Sequence, residues 1–336
     1  MKNIGKTIAI RFHEVGQPEV MKYEEVDMPQ PGRGEIRMEV EAIGVGYGEA
    51  LYRMGFYVQE TILPSSLGNN AVGRVDAVGE GVEGIEIGQR IGLIPSFSMN
   101  QYGVYAKHAI VPATAIAPYF DSLSLEENAS IWMQVVTAYV GIVHHGKIQS
   151  DDTLLVLPGS GGVGMAAIQT GKKAGATVIT TTRRREKENA IRAIGADHVI
   201  VTDEEELESR VLEITDGVGV RLILNALTGD VLHSLANVAH AGGTILQFGG
   251  IGAQPTPLPY AQIITKGINI RGFTLYELTD DPSNLEKLRQ YVADGIRDGF
   301  YTANVGKVFQ FEEMVEVHRY LEAGSMTGSV VVRVQP

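Results

Sequence analysis

Three glycines in the stretch DDTLLVLPGSGGVGMAAIQTGKKAGATVITTTRR (Asp151 to Arg184) stand at a spacing suited to holding a phosphate. Gly159, Gly161 and Gly164 form G-x-G-x-x-G directly after Thr153 to Leu157, a short apolar run expected as a strand buried on both faces. The first glycine permits a tight turn, the second lets backbone approach a pyrophosphate, and the third lets a helix pack close to the strand. That helix is predicted over Met165 to Ala174. Ser160, Gly161, Gly162, Val163 and Gly164 therefore present backbone amides at the positive end of a helix dipole, where an anionic diphosphate is stabilised.

About twenty residues further on, an NAD site would place Asp or Glu against the ribose hydroxyls. Here the sequence reads Thr181, Thr182, Arg183, Arg184, Arg185. A carboxylate would repel a 2′-phosphate, whereas hydroxyls and guanidinium groups bind it by charge-assisted hydrogen bonds. The expected cofactor is NADP(H), held by Thr182 with Arg183 or Arg184. Arg185 is expected to begin a solvated helix.

Composition narrows the chemistry further. The chain has 336 residues, more than one ordinary core, so two domains are expected. Its formal charge of −12 argues against nucleic acid as a main partner. The absence of cysteine excludes disulfides, thiolate zinc sites and a cysteine nucleophile. The N-terminal MKNIGKTIAIRFHEVG lacks a signal-peptide apolar segment, and no run approaches the roughly twenty apolar residues of a membrane span. The expectation is a soluble cytoplasmic protein that acts on a small molecule, away from membranes.

Two kinds of pattern divide the chain. Up to about residue 125, short strand-like runs are separated by Gly and Pro: Thr7 to Arg11, Glu35 to Ile43, Ala71 to Val78, Arg90 to Ile94 and Tyr105 to Ile110. They predict a mostly antiparallel β domain. A helix over Ser124 to His145 follows. Strands are then predicted at Thr153 to Leu157, Thr177 to Thr181, His198 to Val201, Arg221 to Asn225, Gly243 to Phe248 and Ile268 to Phe273, alternating with helices. Such alternation implies a parallel, doubly wound sheet. Asn225, Phe248, Gly249, Phe273 and Thr274 end its strands on the carboxyl edge, where ligands cross, and are read as backbone contacts to ribose and carboxamide. The tail, with a helix over Phe311 to Ala323 and a strand over Ser329 to Val334, is expected to return to the first domain.

The segments PQPGRGEIRMEVEAIGV, LGNNAVGRVDAVGEGVEGIEIGQRI, MQVVTAYVGI, LPGSGGVG with GADHVI, and MTGSVVV together resemble the zinc-independent medium-chain dehydrogenases/reductases, in their NADPH:quinone oxidoreductase (zeta-crystallin-like) branch. The resemblance spans nearly the whole chain. It implies an α/β fold with a GroES-like β domain (residues 1–126 and 276–336) interrupted by a Rossmann domain (127–275), with the active site in the cleft. The zinc-ligand places of metal-containing relatives correspond to Gly46, Asn69, Asn70 and Gln134, which supply neither thiolate nor imidazole, so no metal is expected. Thr137 and Tyr139 match residues that touch the nicotinamide side of the cofactor. Tyr57 and Tyr52 lie in the segment matching the substrate-cleft loop and are candidate proton donors. Arg53 there suits either an anionic substrate or a structural ion pair. A homodimer joined through the strand near Ile268 to Thr274 is also implied.

The chain departs from that branch at Gly46, where Asn is common, at Ser329, where Lys is usual, and at Pro158, where a small residue is usual. The first two change polar groups near the cleft. Without metal or nucleophile, the site suits acceptors that delocalise charge, namely quinones and α,β-unsaturated carbonyls. An enoyl thioester, an aldehyde–alcohol couple, or an NADPH-binding structural or sensing role are the alternatives.

Overall fold

The structure, a computed structural model, describes residues 5–335. Its contacts divide the chain into two compact units. One comprises Met1–Met133, Tyr276–Gly295 and Thr302–Pro336, and the other Gln134–Leu275 and Ile296–Tyr301.

The second unit is built on a six-stranded sheet. Its order is His198–Val201, Thr177–Thr182, Thr153–Leu157, Val220–Leu227, Ala239–Ile251 and Asn269–Gly272, and every pairing is parallel. The chain winds outward from Thr153–Leu157 in one direction and then, from Val220–Leu227, in the other. The point of reversal lies between these two central strands, which is where a doubly wound sheet binds its ligand. Leu154, Leu155, Leu222, Ile223 and Leu224 are all fully buried, as apolar runs covered on both faces must be. The expected α/β sheet is present. The last strand is shorter than predicted and forms one margin of the sheet.

The predicted single helix over Ser124 to His145 is an α-helix, Leu125–Ala138, continued by a π-helical segment, Tyr139–His145. Close packing accompanies the widened turn. A side chain at Gly141 would meet the Phe273 ring at 2.7 Å and Leu224 at 2.9 Å, and the Gly146 amide donates to the Gly141 carbonyl at 2.7 Å.

The first unit carries a seven-stranded sheet running Val305–Gln310, Ser329–Arg333, Glu35–Val45, Ala71–Val78, Arg90–Leu93 and Ile116–Pro118, with His108–Pro112 paired to Glu35–Val45. The tail strand lies antiparallel to Glu35–Val45, Val330 opposite Val45. Two strands went unpredicted. Lys22–Asp27, KYEEVD, pairs only with Lys6–Arg11 and is largely exposed, so it has no apolar alternation to read. Ile116–Pro118 has just three residues. Tyr47–Met54, expected as loop, is a helix that ends on Gly55 in the left-handed region (φ 79°).

Candidate active site

In the second unit the glycine turn does what its spacing requires. The helix begins at Gly162, three residues earlier than predicted, with Gly161 extended at its N-cap and no capping side chain. Its first amides are thus left for a ligand. A Cβ on Gly159 would lie 2.0 Å from Thr180 Oγ1, and one on Gly164 would lie 2.1 Å from the Pro158 carbonyl. Turn, strand and helix are therefore packed at glycine distance. Ser160 is buried beside them.

The next strand ends at Thr182, whose hydroxyl donates to the Arg184 carbonyl at 3.4 Å. Arg185 pairs with Glu188 at 2.9 Å and Glu204 at 2.5 Å, and so is occupied within the surface. Arg184 lies 3.6 Å from Glu186, both well exposed, which is a weak attachment. Lys187 is a member of this cluster that the sequence reading passed over. It is buried, and burial, then Arg183, then Arg184, hold its pKa below the ordinary lysine value. Three cations gathered at a strand's carboxyl end fit a phosphate monoester better than a ribose hydroxyl.

Further along the edge, Phe248 and Phe273 are tilted rings 6.1 Å apart, with Gly249 and Thr274 beside them. Thr137 and Tyr139 are buried where the α-helix turns into the π segment. Asn225 directs its side chain into the protein: its amide donates to the Leu227 carbonyl (2.9 Å) and Gln247 Oε1 (2.7 Å), and its oxygen accepts from the Leu227 amide (3.1 Å). It braces the carboxyl edge.

The first unit gathers a polar cluster around Tyr57. The Tyr57 hydroxyl lies 4.0 Å from where a Cβ on Gly48 would stand, so its ring covers the start of the Tyr47–Met54 helix. It is hydrogen-bonded to Tyr276, whose hydroxyl also accepts from Asn69 Nδ2 at 2.8 Å. Burial, then Tyr276, raise the Tyr57 pKa far above the phenol value. Both phenols thus hold their protons at neutral pH. Tyr52 packs edge-on against Tyr57, ring centroids 6.1 Å apart, but lies in the hydrophobic core with its hydroxyl donating to Asn100 Oδ1 at 2.6 Å and sharing a hydrogen bond with Ser65 at 2.8 Å. Arg53 is fully buried and paired with Glu322 at 2.6 Å, the structural alternative of the two considered.

Glu49 lies on the same helix, almost wholly buried, with Oε1 lacking a partner and Oε2 accepting from the Gly46 amide at 3.1 Å. Burial raises its pKa to about 7. A carboxyl whose folded pKa lies above its unfolded value keeps its proton longer in the folded state. Stability is therefore lost as pH rises from about 4.5 to about 7, then levels off. The shift corresponds to about 3 kcal/mol. Glu49→Gln keeps the acceptor for Gly46 and removes the charge. The variant's melting temperature is expected to change little between pH 5 and 8, where wild type declines. Parallel melting curves across that range would disprove the assignment.

The residues at the would-be metal places do not fit zinc. Asn70 Nδ2 donates to the Ala129 carbonyl at 2.9 Å and Asn69 Nδ2 to Tyr276, so only neutral amide oxygens remain, and Gly46 offers no donor. Among the described residues no three His, Asp or Glu side chains converge on one point. Purified protein is expected to keep full activity in a chelator and to contain far less than one zinc per chain by elemental analysis. Stoichiometric zinc would contradict this.

Comparison with known proteins agrees with this architecture. Residues 32–121 match the alcohol dehydrogenase GroES-like domain and residues 162–293 the zinc-binding dehydrogenase domain, together well over half the chain. The quinone oxidoreductase of Pseudomonas aeruginosa is 26% identical, the match covering 96% of this chain and 98% of that one. The Escherichia coli quinone oxidoreductase, solved in complex with NADPH, superposes with a TM-score of 0.91 at 27% identity, over 97% of this chain and all of that one. A phenolphthiocerol/phthiocerol polyketide synthase component of Mycobacterium tuberculosis is 24% identical over 97% of this chain, which spans only 15% of that much longer protein. The chain belongs to the medium-chain dehydrogenase/reductase superfamily. It departs from the zinc chemistry in that domain's description at the ligand positions just given. No helix among the described residues is long and apolar enough to cross a membrane.

Proposed function

We propose that this protein is an NADPH-dependent oxidoreductase that reduces quinones or α,β-unsaturated carbonyls without a metal. The observation that carries the cofactor is the juxtaposition of an uncapped, glycine-packed helix start with Thr182, Arg183, Arg184 and Lys187 at the next strand end. The residues that would hold NADP(H) are Ser160, Gly161, Gly162, Val163 and Gly164 for the diphosphate and the basic cluster for the 2′-phosphate. Thr137, Tyr139, Phe248, Gly249, Phe273 and Thr274 would line the remainder. When bound, the cofactor supplies the hydride.

The substrate class follows from what the residues lack and what they offer. Neither a Lewis acid nor a nucleophile stands among the candidate residues, so charge that develops on the acceptor must be spread within it or met by a hydrogen bond. Conjugated acceptors do the first, and a protonated phenol at Tyr57 does the second, by hydrogen bonding or proton delivery. Phe56 and Val58, the sequence neighbours of Tyr57, expose apolar side chains, which suits a flat, weakly polar acceptor. The test is NADPH consumption with a quinone, an enone, an enoyl thioester and a saturated aldehyde. The quinone and enone are expected to be reduced fastest. Faster reduction of the saturated aldehyde would overturn the assignment.

Asn269–Gly272 is an edge strand, and the neighbouring helix Tyr260–Lys266 exposes Tyr260 and Ile264. An unpaired edge beside exposed apolar side chains supports a homodimer formed there. A monomer by light scattering at micromolar concentration would contradict it.

A further inference from the structure

We infer that Gln247, oriented by Asn225, is a positioning residue for the nicotinamide half of the cofactor, because the two amides fix a backbone bulge, residues 248–250, at the carboxyl edge of the parallel sheet. The inference deepens the proposed NADP(H) site and rests on it.

The last row of paired residues across that sheet runs Leu157, Asn225, Gln247 and Gly272. Three of them lead directly into segments that would line the cofactor: Leu157 into the glycine turn, Gln247 into Phe248 and Gly249, and Gly272 into Phe273 and Thr274. Asn225 and Gln247 carry amides, and backbone groups dictate how each is turned. The Leu227 N–H donates to Asn225 Oδ1 at 3.1 Å, and the Leu227 carbonyl accepts from Asn225 Nδ2 at 2.9 Å. The second Nδ2 hydrogen goes to Gln247 Oε1 at 2.7 Å. Gln247 Nε2 is thereby turned toward two carbonyls, Leu227 at 3.1 Å and Gly249 at 2.7 Å. All four amide hydrogens are committed, and flipping either amide would set an oxygen against a carbonyl oxygen.

What this pair holds is a departure from the ladder. Between the pairs Asn225–Gln247 and Leu227–Ile251, one strand has Ala226 alone and the other has residues 248, 249 and 250. The surplus residues leave the ladder as a half-buried bulge. It packs on Ala226 at glycine distance, since a Cβ on Gly249 would lie 2.9 Å from the Ala226 Cβ. Thr228 closes the far end, its N–H and hydroxyl both donating to the Ile251 carbonyl at 3.0 Å. Gln247 holds the near end and the middle. Its own carbonyl also accepts from the Phe273 amide at 3.0 Å, so the exit of the next strand is tied to the same residue.

Strand order decides which half of the cofactor meets this bulge. The basic cluster ends Thr177–Thr182 on one side of Thr153–Leu157, whereas Val220–Leu227 and Ala239–Ile251 lie on the other side. With the 2′-phosphate at the first place and the diphosphate at the central glycine turn, a dinucleotide across the edge brings its nicotinamide half to the bulge. Backbone already held in place need not be ordered when the ligand arrives.

The test separates the two halves. Gln247→Glu keeps the shape and sets a carboxylate against two carbonyls, and Gln247→Met removes the hydrogen bonds without adding charge. Both are expected to weaken NADPH binding about tenfold by calorimetry. Affinity for adenosine 2′,5′-bisphosphate, which carries the 2′-phosphate but no nicotinamide, is expected to stay within about twofold of wild type. Equal weakening of both ligands would reduce Gln247 to a merely structural role, and unchanged NADPH affinity in both variants would also overturn the inference. Hydrogen exchange on wild type needs no variant to fold. NADPH is expected to slow exchange in a peptide covering residues 248–251 well beyond the effect of the bisphosphate, and equal protection by the two would overturn the inference. Failure of wild type to bind either ligand would instead refute the cofactor site itself, and this inference with it.

Discussion

NADPH will bind at least tenfold more tightly than NADH, and Arg183→Ala, Arg184→Ala and Lys187→Ala will each erode that margin while leaving NADH affinity nearly unchanged. The physical source is the extra phosphate dianion. Each charge-assisted hydrogen bond to it is worth about 1.5–3 kcal/mol, or roughly ten- to a hundredfold in affinity. No carboxylate occupies the end of the Thr177–Thr182 strand to favour a bare ribose. Arg184 is only loosely engaged by Glu186, so turning toward a phosphate costs it little. Lys187, already destabilised as a cation by burial and by Arg183 and Arg184, gains most from an anion arriving beside it. The contrast should also weaken with salt, because part of the cluster is exposed. Calorimetric titration with both cofactors decides the matter. Equal affinities, or an Arg183→Ala, Arg184→Ala pair that behaves like wild type, would refute the reading.

Glu322→Ala is expected to destabilise the β unit by about 2–3 kcal/mol, discounted from the value for a wholly buried pair because Glu322 is partly exposed. The Arg53 side chain is fully buried, and its Nε and Nη1 have no hydrogen-bond partner. The Glu322 carboxylate at 2.6 Å is therefore what makes burial of the guanidinium tolerable. Removing it strands a positive charge, since His318 nearby is held neutral, its pKa pushed down to about 3 by burial and by Arg53 itself. For a unit of this size the melting temperature should fall about 5–10 °C. Arg53→Met combined with Glu322→Leu should recover most of the loss, because an apolar pair carries no desolvation penalty. An unchanged melting temperature in Glu322→Ala would show that Arg53 finds compensation elsewhere.

The fold was legible wherever one residue type solves one local problem. Apolar runs such as TLLVL can serve only as covered strands, and Gly159 and Gly164 stand where any Cβ would collide with the next element. The absence of zinc ligands was equally plain from Gly46 and the two asparagines. What escaped reading depends on contacts that no local pattern encodes. Lys187 looked like one more cation after three arginines, yet it is buried. Tyr276 ends a strand-to-helix junction that reads as an ordinary core position, and its partner Asn69 lies 207 residues away. The Tyr47–Met54 helix was expected as loop from the resemblance of its segment to a substrate-cleft loop. Its N-terminus is instead held by Glu49, whose carboxylate accepts from the Gly46 amide. Asn225 sat on the correct edge, but only the structure reveals that its amide is consumed in bracing that edge.

The proposed reaction passes hydride from NADPH to the electrophilic carbon of a conjugated acceptor. The most direct measurement uses NADPH carrying deuterium at the transferring position, a cyclic enone as acceptor, and NMR analysis of the product. Deuterium is expected at the β-carbon of a saturated ketone, with a solvent-derived proton at the α-carbon. Deuterium on the carbonyl carbon of an allylic alcohol, or product without the label, would contradict it.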